Sequence, residues 1–240
     1  MRDFTFIVKS FERPSALAML IASLRERYPR ERVIVADDSK DRMPRYSDDY
    51  EMIRLPFDTG LSAGRNALIA KVETPFFILL DDDFIFTEAT KIERLVSIAE
   101  RCGHDVVGGA VIEKGEVRHY EGNLRQSGTT LRYVPQFRED HGSHKTCDMV
   151  LNFFAGRTEK VKKVGWDPDL KLAEHTDFFL RAKGKISVAY CPTVSIVHTK
   201  ERDPHYDEYR VRAKHFMRVF MKKHRLKMMV NFSGSRFRLK

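Results

Sequence analysis

Two hundred and forty residues, 42% apolar and 32% charged, suit one globular domain with at most an appended tail, and exclude a disordered chain, a collagen or a coiled coil. The longest strongly apolar run, residues 75–80, is far short of the roughly 20 residues that a membrane-spanning helix needs. The net charge of +9 is unevenly placed: residues 1–200 hold 31 Lys and Arg against 30 Asp and Glu, and residues 201–240 hold 12 against 4, so a neutral body carries a basic tail that should attract anions.

Residues 4–8 read as a first strand rather than a signal peptide, because Asp3 comes early and no small-residue cleavage site follows; the expectation is a cytoplasmic protein. Leu17, Leu20, Ile21 and Leu24 repeat at helical spacing behind Pro14. Residues 32–36 form a second strand ending at Asp37-Asp38-Ser39, and residues 51–55 a third. Gly60-Leu61-Ser62-Ala63-Gly64-Arg65-Asn66 opens a helix that Ser62 is expected to cap. The fully apolar residues 76–80 predict a central strand, which stops at Asp81-Asp82-Asp83. Thr87 is expected to cap a helix bearing Ile92, Leu95, Val96 and Ala99. Residues 106–111 read as a strand, and residues 115–144 as hairpins and a mobile loop. Helices at 158–164 and 174–182 precede two strands, 186–189 and 194–197, the second ending at His198. In the tail, Tyr209, Ala213, Phe216, Met217, Phe220 and His224 recur at helical spacing among basic residues. Domains are expected at 1–204 and, for the basic amphipathic helix and tail, 205–240. Alternating strands and helices specify an α/β fold with a mixed, mostly parallel sheet flanked by helices.

In such a sheet ligands bind outside the carboxyl ends of the strands. Asp37-Asp38 and Asp81-Asp82-Asp83 both fall there. One acidic cluster is accounted for by turn capping, but three successive aspartates beside a buried strand repel one another unless a positive charge is held there. A hard divalent cation, Mg²⁺ or Mn²⁺, bridging a diphosphate is the simplest candidate. Cys102, Cys147 and Cys191 form no CxxC pair, which argues against a softer metal or a disulfide framework. The glycine-containing helix start at 60–66 suits an anion, with Arg65 in reach of a phosphate, although its spacing matches neither the P-loop nor GxGxxG.

The succession of Arg13-Pro14, Asp37-Asp38-Ser39, residues 60–66, Asp81-Asp82-Asp83, Gly165-Trp166-Asp167, Glu174-His175-Thr176-Asp177 and His198 resembles the family 2 inverting glycosyltransferases of GT-A (Rossmann-like) fold. Asn152-Phe153-Phe154-Ala155-Gly156-Arg157 and its sequel also resemble the β-1,4-N-acetylgalactosaminyltransferases. The resemblance implies that Ser10, Phe11, Arg13 and Asp38 border the uracil and ribose of a UDP-sugar, and that Arg65 holds the base or diphosphate. It makes Asp81 to Asp83 the DxD motif, with Asp83 and His198 as metal ligands and Asp81 or Asp82 nearer the ribose and sugar. Where the family carries Glu-Asp as its base motif, this chain has Glu174-His175. Histidine titrates near working pH, so His175 is the first choice of base and Glu174 the second, with Asp177 behind them. Trp166 either stacks on a sugar or anchors packing.

The resulting expectation is a metal-dependent inverting transfer of a hexose or N-acetylhexosamine from a UDP-sugar to a hydroxyl of a glycan or glycolipid acceptor, leaving a β-linkage. The tail helix would either pack its aromatic stripe on the domain and leave its charges in water, or rest with the basic tail at the inner face of an anionic membrane. A sugar-1-phosphate nucleotidyltransferase should show a glycine-rich loop after the first strand, where Lys9-Ser10-Phe11-Glu12-Arg13 has no glycine. A nucleic-acid-binding protein fits the tail but not the neutral body.

Overall fold

The computed structural model describes residues 4–40, 49–199 and 211–239. In chain order the first half runs β1 (Phe4–Ser10), α1 (Pro14–Arg27), β2 (Val33–Asp37), β3 (Glu51–Arg54), α2 (Leu61–Ala70), β4 (Phe76–Asp81), β5 (Phe84–Ile85) and α3 (Ile92–Arg101). The second half begins with β6 (Val106–Glu113), β7 (Glu116–Val117), the hairpin β8 (Asn123–Ser127) and β9 (Thr130–Val134), β10 (Lys145–Cys147) and β11 (Phe154–Arg157). It continues with α4 (Thr158–Val164), α5 (Glu174–Ala182), β12 (Val188–His198), α6 (Ala213–Lys223), β13 (Met228–Val230) and β14 (Arg236–Arg238).

The main sheet has the order β10-β12-β6-β11-β4-β1-β2-β3. β4, β1, β2 and β3 are parallel neighbours, β6 and β12 are parallel, and β11 runs antiparallel between β4 and β6. β1 and β4 are apolar on both faces because both faces are covered. Ile7, Phe77 and Leu79 pack with Leu68 of α2, Phe178 of α5 and Phe220 of α6, while Phe6, Val8, Ile78 and Leu80 pack with Leu17 and Leu20 of α1 and Leu95 of α3. The sheet thus separates two core layers and brings its strand ends out at one rim.

Several local expectations are corrected. Ser62 caps nothing: its hydroxyl donates to the Leu170 carbonyl at 2.6 Å, and Gly60, at φ 94°, stands at the start of α2. Thr87 belongs to a turn that precedes α3 by several residues, with Lys91 in the capping position. The two strands expected at 186–189 and 194–197 are one, β12, whose pairing with β6 shifts register between Cys191 and Ser195. A bulge interrupts apolar periodicity without ending a strand.

The tail does more than form a helix. α6 buries Phe216, Phe220 and Met221, and the chain then returns to a second sheet of order β14-β13-β9-β8, with β13 parallel to β9. Leu131, Met229 and Phe237 share one register row facing inward. The expected boundary at 204/205, together with Tyr209 and Arg210, lies outside the described residues. Among those described, no helix is long and apolar enough to cross a membrane.

Candidate active site

A cavity of about 840 Å³ opens where β1, β4, β6 and β12 end and α5 begins. Lys9, Ser10, Phe11, Arg13, Arg65 and the three aspartates line one side of it; Asn152, Glu174 and His175 line another.

Asp81 ends β4 beside Lys9 of β1 in the parallel register. After the turn, β5 pairs with β12 so that Phe84 meets His198, and the Thr199 amide donates to the Asp83 carbonyl at 3.0 Å. This bridge puts Asp83 and His198 together across 115 residues: His198 Nε2 is 3.0 Å from Asp83 Oδ2, and Nδ1 is 3.0 Å from Glu113 Oε2. Arg13 donates to Asp83 Oδ2 at 2.7 Å and also to Asp82, which accepts from Ser10 Oγ at 2.8 Å. Asp81 accepts from Arg65 at 3.3 Å and from Asn152 Nδ2 at 3.2 Å. The counter-charge that three aspartates demand is therefore supplied by the protein's own arginines, which corrects the inference that repulsion by itself calls for a metal. Burial raises Asp81 and Asp82. Burial works against ionisation of Asp83 too, but the His198 hydrogen bond and Arg13 outweigh it and hold this carboxyl low. His198 is raised, because its two carboxylate neighbours overcome the effect of burial.

The residues present fit a hard divalent cation. Asp83 Oδ1 is buried with no hydrogen-bond partner, a histidine nitrogen lies beside the same carboxylate, and Glu113 backs the imidazole as outer-shell carboxylates do at metal sites. Among the described residues no group of three His, Cys, Asp or Glu is disposed around one point, so such a cation would take its remaining ligands from a diphosphate or water.

The glycine segment has a different local logic from an anion cradle. Gly64 has no side chain because a Cβ there would come within 2.3 Å of Lys9 Cδ. Lys9 crosses α2 at that point to pair with Asp38, and the Gly60 amide donates to the other Asp38 oxygen at 2.7 Å. Asp38 thus supports Lys9 from beneath the cavity wall. Phe11 packs at 5.9 Å on Phe57, whose ring is exposed.

On the opposite side, Glu174 is buried and accepts from Arg65 Nη1 at 2.8 Å. His175 Nδ1 is 2.6 Å from Asn152 Oδ1, and its Nε2 is buried without a hydrogen-bond partner. Burial, aided by the Arg65 charge, depresses this imidazole to about 3, so it is neutral at working pH but a weaker base than a histidine near 6.5, which corrects the reason for ranking it first. Asp177 does not line the cavity; it faces α6, where Lys223 and His224 each reach it at 2.7 Å and Arg181 also at 2.7 Å. This removes it as a base. Trp166 is buried and stacked on Phe178 at 4.9 Å, so it anchors packing rather than a sugar.

Lys9, Asn152, Glu113, Arg118 and Tyr120 also line the cavity; none of them was expected to have a role there, Asn152 appearing only within a motif. Lys9 had a signal: a lysine continuing the apolar run 4–8 needs a partner or a ligand. Tyr120 had none, since its place depends on contact with Phe232 from the tail.

The pattern of Glycosyl transferase family 2 matches residues 5–165. The chain is 38% identical over 211 residues to β-1,4 N-acetylgalactosaminyltransferase 1 of Rattus norvegicus, covering 82% of this chain and 39% of that protein. It is 37% identical over 221 residues to β-1,4 N-acetylgalactosaminyltransferase 2 of Mus musculus, covering 86% and 43%. The chain therefore spans under half the length of these relatives. Among solved structures, S. aureus TarS 1–349 in complex with UDP-GlcNAc superposes with a TM-score of 0.66 at 17% identity, over 91% of this chain and 65% of TarS 1–349. GalNAc-T7 with UDP, GalNAc and Mn²⁺ gives 0.64 at 14% identity, over 83% and 44%.

Proposed function

This chain belongs to glycosyl transferase family 2 and has the GT-A fold, and from that membership we propose that it moves a hexose or N-acetylhexosamine from a UDP-sugar to a hydroxyl of a glycan or glycolipid acceptor, with inversion to a β-linkage. The observation that carries the reading is the meeting, within one cavity, of Asp83, whose Oδ1 is unpartnered, and its neighbour His198 with the imidazole of His175. The relatives' names, and the UDP and UDP-GlcNAc bound by TarS structures, support a UDP-sugar donor.

Ser10, Phe11 and Lys9 would border the nucleoside, and Arg13 and Arg65 would keep positive charge beside the diphosphate. A Mn²⁺ or Mg²⁺ ion held by Asp83 and His198 would offset charge on the departing UDP. His175 accepts the hydroxyl proton at Nε2 as oxygen attacks the anomeric carbon and UDP leaves. Glu174, held by Arg65, orients rather than accepts. Peripheral contact of the basic tail with an anionic membrane belongs to the same proposal.

The test is UDP release from UDP-GalNAc and UDP-GlcNAc over a panel of simple glycan acceptors, in Mn²⁺, Mg²⁺ and EDTA. Cation-dependent release with a β-anomeric proton in the product is expected. A chain that neither releases UDP from any UDP-sugar nor binds UDP refutes the proposal.

A further inference from the structure

Between the acidic triplet and α5, hydrogen bonds run as a chain from Glu174 through Arg65, Asp81 and Asn152 to His175. Arg65 donates to Glu174 at 2.8 Å and to Asp81 at 3.3 Å; Asn152 Nδ2 donates to Asp81 Oδ2 at 3.2 Å; Asn152 Oδ1 meets His175 Nδ1 at 2.6 Å. The amide has one workable orientation in this chain. An ionised carboxylate can only accept, so the Asn152 NH₂ faces Asp81 and its carbonyl oxygen faces the imidazole. A carbonyl oxygen can also only accept, so Nδ1 must carry the ring hydrogen, and in a neutral ring Nε2 is then bare. That is the nitrogen found buried and unpartnered on a residue that lines the cavity. The rest of the ring's packing is aromatic, with Phe179 at 5.1 Å and Tyr120 at 5.8 Å.

We propose that Asn152 is a positioning residue that fixes His175 as the Nδ1–H tautomer and so leaves Nε2 as the ring nitrogen that can take the acceptor's proton. The proposal rests on the reading of the cavity as a transferase site. The alternative tautomer would present an N–H to a hydroxyl that must lose its proton, and transfer would stall. Because the ring is neutral, its tautomer decides whether it can act as a base. The same amide ties the base to Asp81, so the donor and acceptor sides of the cavity share one fixed element.

The experiment labels the histidines of the full chain with ¹⁵N and records long-range ¹H–¹⁵N correlations at pH 7, assigning His175 by its loss in His175→Gln. The parent should show a protonated Nδ1 and a bare Nε2. Asn152→Ala should lose that preference and lower kcat by about 10- to 100-fold with the KM for UDP-sugar nearly unchanged. A parent ring protonated at Nε2, for example toward the neighbouring Val150 carbonyl, would overturn the proposal. So would an unaltered tautomer in Asn152→Ala, or an unaltered kcat beside a switched one. The spectra need no turnover, so an Nδ1–H ring in a chain that transfers no sugar would count against the transferase reading separately.

Discussion

Glu174 and His175 are adjacent in sequence and have opposite surroundings. The carboxylate is committed to Arg65 while the imidazole keeps a nitrogen free, so their variants should fail differently. His175→Ala should lower kcat by about 10² to 10⁴ with UDP affinity nearly unchanged, the range for a lost general base. Glu174→Gln leaves the fully buried Arg65 short of a partner, so it should destabilise the fold, on the order of 3 kcal/mol by denaturant unfolding, as well as slow turnover. The pH profile is a further check. His175 sits near 3 rather than 6.5, so kcat should show no acid limb from its protonation between pH 5 and 8. Because the unfolded ring binds a proton below about 6.5 and the folded ring does not, this group makes the fold less stable as pH falls from there toward 3. A kcat limb near 6.5 that disappears in His175→Gln would contradict a neutral buried base. At the same scale, Asp83→Ala should remove the difference in UDP affinity between Mn²⁺ and EDTA; equal affinities in the parent would end the cation role. The aspartate cluster stood out in the sequence by residue type and by its place at a strand end, whereas Ser10 and Arg13 entered only through the family resemblance. Asn152 did not stand out, because an asparagine declares its role only through partners 71 and 23 residues away.

Helices α4 and α5 were legible to the residue, since each pairs a clear apolar face with acidic residues in its first turn. What periodicity missed was the joint between α5 and α6. Asp177 read as a third choice of base, yet it is fully buried and collects Arg181, Lys223 and His224. Its partners outweigh the burial that would otherwise raise it, and hold the carboxyl at about 2. An unfolded aspartate titrates near 4, so the clamp contributes on the order of 2 kcal/mol. That contribution is complete above about pH 4 and lost as pH falls through 2. Asp177→Asn should therefore lower stability by about 2 kcal/mol at pH 7, and the deficit relative to the parent should vanish near pH 2. Because α6 supplies Met217 to the cavity wall, loosening this joint should also raise the KM for an acceptor more than it lowers kcat. A deficit that persists unchanged at pH 2 would show that the loss came from packing instead.

At the scale of the whole molecule, the alternation of strands and helices made the α/β core readable, whereas the second sheet was not, because its two halves lie about a hundred residues apart and neither carries a complete pattern. Its pairing also sorts the tail's charge. Lys223 and Arg212 are bound to Asp177 and Asp58 of the body, so part of the basic helix serves packing. The register instead places Arg125 opposite Arg132, and Arg236 in the same row on the far side of Val230, with Arg238 two residues further along the same face. All four are exposed, and no ion pair joins any of them to an acid among the described residues. Arg125 directly opposite Arg132 is a destabilising like-charge pair, which an anionic surface would relieve. Phe232, in the turn between β13 and β14, touches Tyr120 of the cavity wall, so a surface-bound sheet would bring the cavity close to acceptors presented there. Sedimentation with anionic vesicles at low salt should therefore carry the chain down, neutral vesicles should not, and high salt should release it. Each arginine is worth up to about 1 kcal/mol, so the double variant Arg236→Gln/Arg238→Gln should weaken binding by as much as roughly 25-fold while the fold is retained. Failure to bind anionic vesicles at low salt would exclude the membrane and leave a negatively charged acceptor as the partner of this face.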